Sequence, residues 1–199
     1  MVAICESFYL GKIFKAVFLL GFFGFLRLSN IVPHSKSTFD STRHLTRGDV
    51  VFSKKFLKLT LKWTKTIQTR DRLHILTLPR LKHSPICPYK ALKKALEIYN
   101  PGLHDPLFQH YADDTWSPLT DSKVRKCLAR VNTKLGLGPH FYPFHAFRRS
   151  GATLAYQAHI PIQQIKYHGS WASDCVYRYI KQDEQTGEGV ATALMKHLQ

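Results

Sequence analysis

Residues 8 to 28 carry apolar side chains on nearly every side of a helical wheel, and the stretch Ala16 to Leu26, AVFLLGFFGFL, has no polar residue at all. That pattern predicts a helix sunk in a core rather than one lying on a surface. Pro33 ends any helical continuation, and residues 31 to 48, rich in Ser, Thr and His, read as a loop. From Asp49 the period changes. Phe56, Lys58, Thr60 and Lys62 alternate with Leu57, Leu59, Leu61 and Trp63, and RLHILTLP repeats the alternation. The two runs predict a small antiparallel hairpin near 49–79, with one wet basic face, one buried face and a turn near Gln68 to Asp71.

After Pro85 and Pro88, YKALKKALEIYN has helical spacing and stops at Asn100, Pro101 and Gly102. A polar loop holding Asp113, Asp114 and Pro118 leads to TDSKVRKCLARVNTKLG, a basic helix with Ser or Thr available to cap it. Helices dominate from there, broken at Gly136 to Pro143, at Pro161 and at Gly169, and no internal repeat is visible. The fold class expected is mainly α with a small antiparallel β-hairpin or sheet (α+β), in a single domain over 1–199.

A chain of 199 residues suits one well-buried core. Charge changes the picture more than length does. Lys and Arg total 29 against 13 Asp and Glu, a formal charge of +16 and a pI near 9.9, which favours polyanions through counterion release. Acidic membranes attract such a surface too. The apolar run 16–26 is too short to span a bilayer, follows mixed charge at Glu6, Lys12 and Lys15, and has no small-x-small cleavage site after it. It reads as a buried helix, with no membrane partner. Cysteines 5, 87, 127 and 175 stand singly, so neither a zinc knuckle nor a redox CxxC is formed by sequence neighbours, and reduced packed thiols suit an intracellular protein.

The chemistry gathers in a few short stretches. In FHAFRRSGAT, His145 and Arg148 are spaced i, i+3, so a helix turns both to one face, where they can grip an anion. On spacing alone, a solvated basic helix accounts for the pair slightly better. Arg27 ends the most hydrophobic helix, where an unpaired charge is costly and calls for an anion or a carboxylate. Lys65, in KWTKTIQ, stands beside the expected hairpin turn, within reach of a bound backbone; a plain surface lysine is the simpler account. HGSWASDCVYRYI supplies His168, Trp171, Tyr177 and Tyr179. As structure it is an aromatic segment packed on the core. As chemistry, a tyrosine phenol attacks a phosphodiester once its proton is taken and cations stabilise the oxyanion.

In their order along the chain, Arg27, Lys65, His145, Arg148, Trp171 and Tyr179 resemble the catalytic residues of the tyrosine recombinases, the phage integrase family, and the resemblance runs from GFFGFLRLSN through WTKTIQ and HAFRRSGAT to GSWASDCVYRYI. It implies DNA strand cleavage and rejoining without a cofactor or metal, in site-specific recombination or integration, as in mobile elements. Arg27 and Arg148 would clamp the phosphate, Lys65 would protonate the leaving 5′ oxygen, His145 would be a proton-transfer partner, and Trp171 would support the phosphate side. Tyr179 would become a 3′-phosphotyrosine. Lys62, Arg70 and Arg149 are expected as flanking DNA contacts. The tail DEQTGEGVATALMKHL resembles the terminal helix, here near 186–198, that these enzymes pass to a neighbouring subunit, implying self-association as a tetramer on duplex DNA.

The sequence departs from the family in three places. After Arg27 come Ser29 and Asn30, where the family often has an acidic residue. In the last motif the position nine before Tyr179 is Ser170, leaving Trp171 with His168 in reserve, and Tyr177 is a rival nucleophile. An amino-terminal core-binding domain is expected to be absent, which would weaken DNA binding. The alternative reading is a catalytically inactive or degenerate DNA-binding module of the same fold. Either reading places the protein with DNA, in a nucleus or nucleoid.

Overall fold

The computed structural model describes residues 8–63, 73–112, 114–178, 180 and 195. The apolar stretch forms α1 (Phe8–Phe23), whose Ile13, Val17 and Leu20 are shut off from solvent, and α1 packs against two later helices, α3 (Pro88–Tyr99) and α5 (His145–Gln157). A helix apolar all round can satisfy both neighbours at once. No described helix is long and apolar enough to cross a membrane.

The helix stops earlier than its composition suggests. Gly24 closes the last turn by donating to the Leu20 carbonyl, and Phe25 takes a left-handed φ of 49°. A Cβ at Gly24 would sit 2.7 Å from the Leu76 side chain and 2.8 Å from the Leu20 oxygen, so only glycine lets the chain turn here. Arg27 therefore does not ride on a helix running to 28. Its backbone is extended, and it caps the start of a one-turn helix, α2 (Leu28–Ile31), which ends before Pro33.

The expected hairpin is present and gains a third strand. β1 (Val50–Phe52), β2 (Phe56–Leu61) and β3 (His74–Pro79) pair antiparallel in that order. Leu57 faces Leu78, Leu59 faces Leu76 and Leu61 faces His74, all buried, while Lys58 and Thr77 face outward. The turn expected at Gln68 to Asp71 lies outside the described residues. The polar loop expected around Asp114 and Pro118 is instead a second hairpin, β4 (Gln109–Ala112) with β5 (Thr115–Pro118), turned at Asp114 with φ 55°. Polar residues, Gln109, His110 and Ser117, fill its buried positions, so no alternation of apolar residues announces it.

Pro88 starts α3 and Asn100 ends it in the left-handed conformation. α4 (Asp121–Lys134) begins after Thr120, and α5, α6 (Ile162–His168) and a 3₁₀ turn at Asp174–Arg178 follow. The main core joins α1, α3, α4 and the first sheet; a smaller cluster holds Phe25, Ala152, Ile165, Trp171, Val176 and Ile180. Cys87, Cys127 and Cys175 are free thiols. The expected terminal helix near 186–198 lies outside the described residues, apart from Met195.

Two glycines set how closely α5 approaches α1. The Phe144 ring lies over Gly21, 2.6 Å from where a Cβ would be, and Gly151 presses against the Phe22 carbonyl and the Phe25 ring. Gly151→Ala should lower the stability by about 1–3 kcal/mol, as overpacking does. Gly138→Ala, at a site with open space around it, should change it by less than about 0.5 kcal/mol. Urea unfolding of both variants checks this.

Candidate active site

The turn after α1 sets the first cation. The Arg27 N–H donates to Asn30 Oδ1 at 3.2 Å, and buried Asn30 donates from Nδ2 to the Trp63 carbonyl at 3.3 Å. Asn30 thus ties the Arg27 turn to the end of the basic sheet, at the root of the segment that carries Lys65. An amide offers both an acceptor and donors, so one side chain serves both neighbours. The sequence reading noted Asn30 only as a missing acid. Arg43, which that reading did not single out, stacks its guanidinium on the Trp63 ring 4.6 Å away.

The second part of the site is the start of α5. Buried Phe144 anchors it, leaving His145 exposed in the first turn and Arg148 one turn further in. Arg148 is 1% exposed. Its Nη1 donates to the Phe25 carbonyl, its Nη2 donates to the Gly169 carbonyl at 2.9 Å, and its guanidinium lies 3.8 Å from the centre of the Trp171 ring. A carbonyl keeps most of its negative end exposed at a turn, so two of them can hold a buried cation that has lost its water.

The local sequence explains how Trp171 arrives there. α6 ends at His168; Gly169 has no Cβ because the indole occupies its place, Ser170 turns left-handed at φ 52°, and the Trp171 N–H donates to the Lys166 carbonyl at 2.9 Å. The chain folds back and lays the indole under Arg148.

Electrostatics link the two parts. The His145 residue is exposed, yet its imidazole is partly desolvated by its neighbours and is held below its ordinary range, first by that desolvation and then by the positive charges of Arg148, Arg27 and Arg149. The charges of Arg27, Arg148 and Arg149 thus all bear on His145, and every one of them is cationic. Such a cluster attracts an anion and is relieved by one.

His168 stands apart from this cluster. Its Nε2 donates to the Phe23 carbonyl at 2.8 Å, its ring meets Phe25 edge to face, and its own carbonyl accepts from His74 Nε2 at 3.2 Å. It fastens the end of α1 to α6 and β3, while Trp171 is the one that touches Arg148. Tyr177, 45% exposed, lies on the 3₁₀ turn beside the Lys166–Asp174 ion pair of 2.8 Å. Arg149 is exposed. The Lys62 ammonium is held inward by Asp49 at 2.6 Å and the Ser41 carbonyl at 2.5 Å. Lys65, Arg70 and Tyr179 lie outside the described residues.

Two expected outcomes follow from these contacts. Arg148→Ala strands two buried carbonyls and unsupports the indole, so it should cost about 2–4 kcal/mol in urea unfolding, whereas Arg27→Ala should cost less than about 1 kcal/mol. The second concerns acid. Burial is the leading cause holding His44, His74, His110, His145 and His168 below the usual imidazole range. The unfolded chain then binds more protons than the folded one below about pH 6.5, so stability is full above that pH and is lost as pH falls. The thermal midpoint should drop by at least about 4 °C from pH 7.5 to 5.0, and by less in His168→Gln, which keeps an N–H for the Phe23 carbonyl.

No protein-family model and no curated protein matches the chain by sequence. Solved structures do match. The site-specific recombinase XerH bound to difH substrate, in a pre-cleavage complex, superposes with a TM-score of 0.67 at 20% identity, over 96% of this chain and 49% of its own. XerH in a post-cleavage complex with palindromic difH gives 0.65 at 21% identity, over 96% and 48%. The Tn1549 transposon integrase in complex with circular intermediate DNA gives 0.57 at 16% identity, over 91% and 57%. The chain thus spans about half the length of the XerH chains it resembles. Over nearly its whole length the chain therefore shares the fold of these recombinase and integrase structures.

Proposed function

We propose that this chain cleaves and rejoins DNA strands through a 3′-phosphotyrosyl intermediate, in site-specific recombination or DNA integration. One observation carries the reading: the charges of Arg27 and Arg148, from opposite ends of the sequence, both bear on His145, and Arg148 lies against Trp171. The DNA-bound complexes of XerH and the Tn1549 integrase support it by likeness of fold.

In this reading Tyr179 Oη attacks the scissile phosphorus. A P–O bond to tyrosine forms and the bond to the 5′ oxygen breaks. The phenol proton passes to His145, and Lys65 gives a proton to the departing 5′ oxygen. Arg27 and Arg148 neutralise the charge that grows on the non-bridging oxygens. The phosphotyrosyl ester keeps the energy of the broken phosphodiester, so attack by a free 5′-hydroxyl restores the strand without ATP. Duplex DNA is the partner, self-association through the 186–198 tail would bring subunits together, and the compartment is a nucleus or nucleoid.

The buried state of Arg148, with two donors on carbonyls and one face on an indole, favours a second reading, in which the domain holds DNA without cutting it. The two separate in one experiment. The protein is incubated with supercoiled and nicked DNA, denatured, and its tyrosine peptides are searched by mass spectrometry for a nucleotide. The first reading expects an adduct on Tyr179, absent in Tyr179→Phe and at least about a hundredfold weaker in Arg27→Ala, which keeps the fold. An adduct on Tyr177 would move the nucleophile by two residues. DNA binding by folded protein with no adduct on any tyrosine would favour the binding module.

A further inference from the structure

A second concentration of positive charge lies away from this cluster. The amino-terminal half of α1, the loop after β3 and the start of α3 enclose a cleft of about 570 Å³ lined by Lys12, Lys15, Lys82, His83, Lys90 and Lys94. Lys12 and Lys15 are one turn apart on α1, and Lys90 and Lys94 are one turn apart on α3. Like charges at this spacing repel on their own helix, and here two such pairs face one cavity with a fifth lysine at its rim. Among the described residues no carboxylate pairs with any of the five. The loop is already fixed: the Leu81 N–H donates to Cys87 Sγ at 3.3 Å, and the Lys90 ammonium donates to the Lys82 carbonyl. A cavity that gathers five lysines, none paired with a carboxylate among the described residues, suits an anion carrying several charges.

We propose that this cleft binds a compact polyphosphate, a run of two or three linked phosphates, at a site separate from the Arg27 cluster. Its volume falls within the range of about 300–1,000 Å³ usual for small-molecule sites. A duplex, whose major groove alone is about 12 Å wide, can touch only its rim. No Phe, Tyr or Trp lines the cleft itself, and the nearby exposed Phe8 ring already lies under the Lys12 ammonium, 4.5 Å away, so stacking of single-stranded bases is not what the cleft is shaped for. Lysines act as point charges on phosphate rather than as shape-reading forks. Separation from the other site follows from helix geometry: Lys15 precedes the end of α1 by eight residues, about 12 Å along the axis, and Arg27 lies beyond the turn that follows.

The phosphates can come from an inorganic chain or from a nucleotide, and calorimetric titration with tripolyphosphate and with a nucleoside triphosphate distinguishes them. Without a base platform, the two should bind within about threefold of each other; much tighter nucleotide binding would assign the site to a nucleotide and overturn the phosphate-only reading. Lys82→Gln/Lys94→Gln should weaken tripolyphosphate binding about tenfold or more, while Lys123→Gln/Lys126→Gln, the same charge loss on exposed positions of α4, and Arg27→Ala should each leave it within about threefold. Equal losses in both lysine pairs, or titrations that never saturate, would show only general attraction to a basic protein and overturn the site. Loss in Arg27→Ala alone would place the anion in the strand-cleavage cluster instead. Binding of duplex DNA, but not of tripolyphosphate, that depends on Lys82 and Lys94 would make the cleft part of a nucleic-acid surface. None of these outcomes depends on whether Tyr179 forms an adduct.

Discussion

A buried guanidinium governs how the pieces of this domain meet. Arg148 reaches from α5 to the carbonyl of Phe25, at the break after α1, and to that of Gly169, at the end of α6, with Trp171 against its face. Three separate stretches of chain are therefore registered by one planar group whose donors point in fixed directions. Much else serves that contact. Gly24 and Phe25 turn the chain so that a carbonyl points inward, Gly151 lets α5 come close, and Gly169 makes room for the indole.

The same arrangement separates two kinds of cation. Arg148 is enclosed, its donors on two carbonyls, whereas Arg27 and Arg149 are more open and share with it the electrostatic field on His145. Positions held by packing give catalytic groups their precision. Asn30 does similar positioning with a neutral amide, bridging the Arg27 turn to the strand end at Trp63.

Much of this could be read from the sequence because the responsible signals are local. The period of two in FLKLTLKW gave the sheet its buried and wet faces, and the unbroken apolar run of α1 marked the core. His145 and Arg148 drew attention through a spacing that only a helix makes meaningful, and both lie on α5. The parts that escaped are those decided by tertiary contact. Gly24 looks like one more small residue in an apolar helix until Leu76 is seen against it. The β4–β5 hairpin hides because its inward side chains are polar. Arg27 drew attention as the charge that burial would penalise, yet Arg148, in a sequence of ordinary polarity, is the one sealed inside, and nothing short of the partners at residues 25 and 169 reveals it. Which of Trp171 and His168 meets Arg148 is likewise decided by the turn at Ser170, which sends the indole to Arg148 and leaves the imidazole on the Phe23 carbonyl.

Among the described residues, the Phe25 and Gly169 oxygens that Arg148 bonds both belong to the main chain. Such an anchor asks nothing of the side chain at residue 25 beyond tolerance of the turn, and it cannot be removed by exchanging one partner residue for another. Substitutions can accumulate around it while the junction of α1, α5 and α6 keeps its geometry. A domain wired in this way can drift far in sequence and still present its cations in the same place.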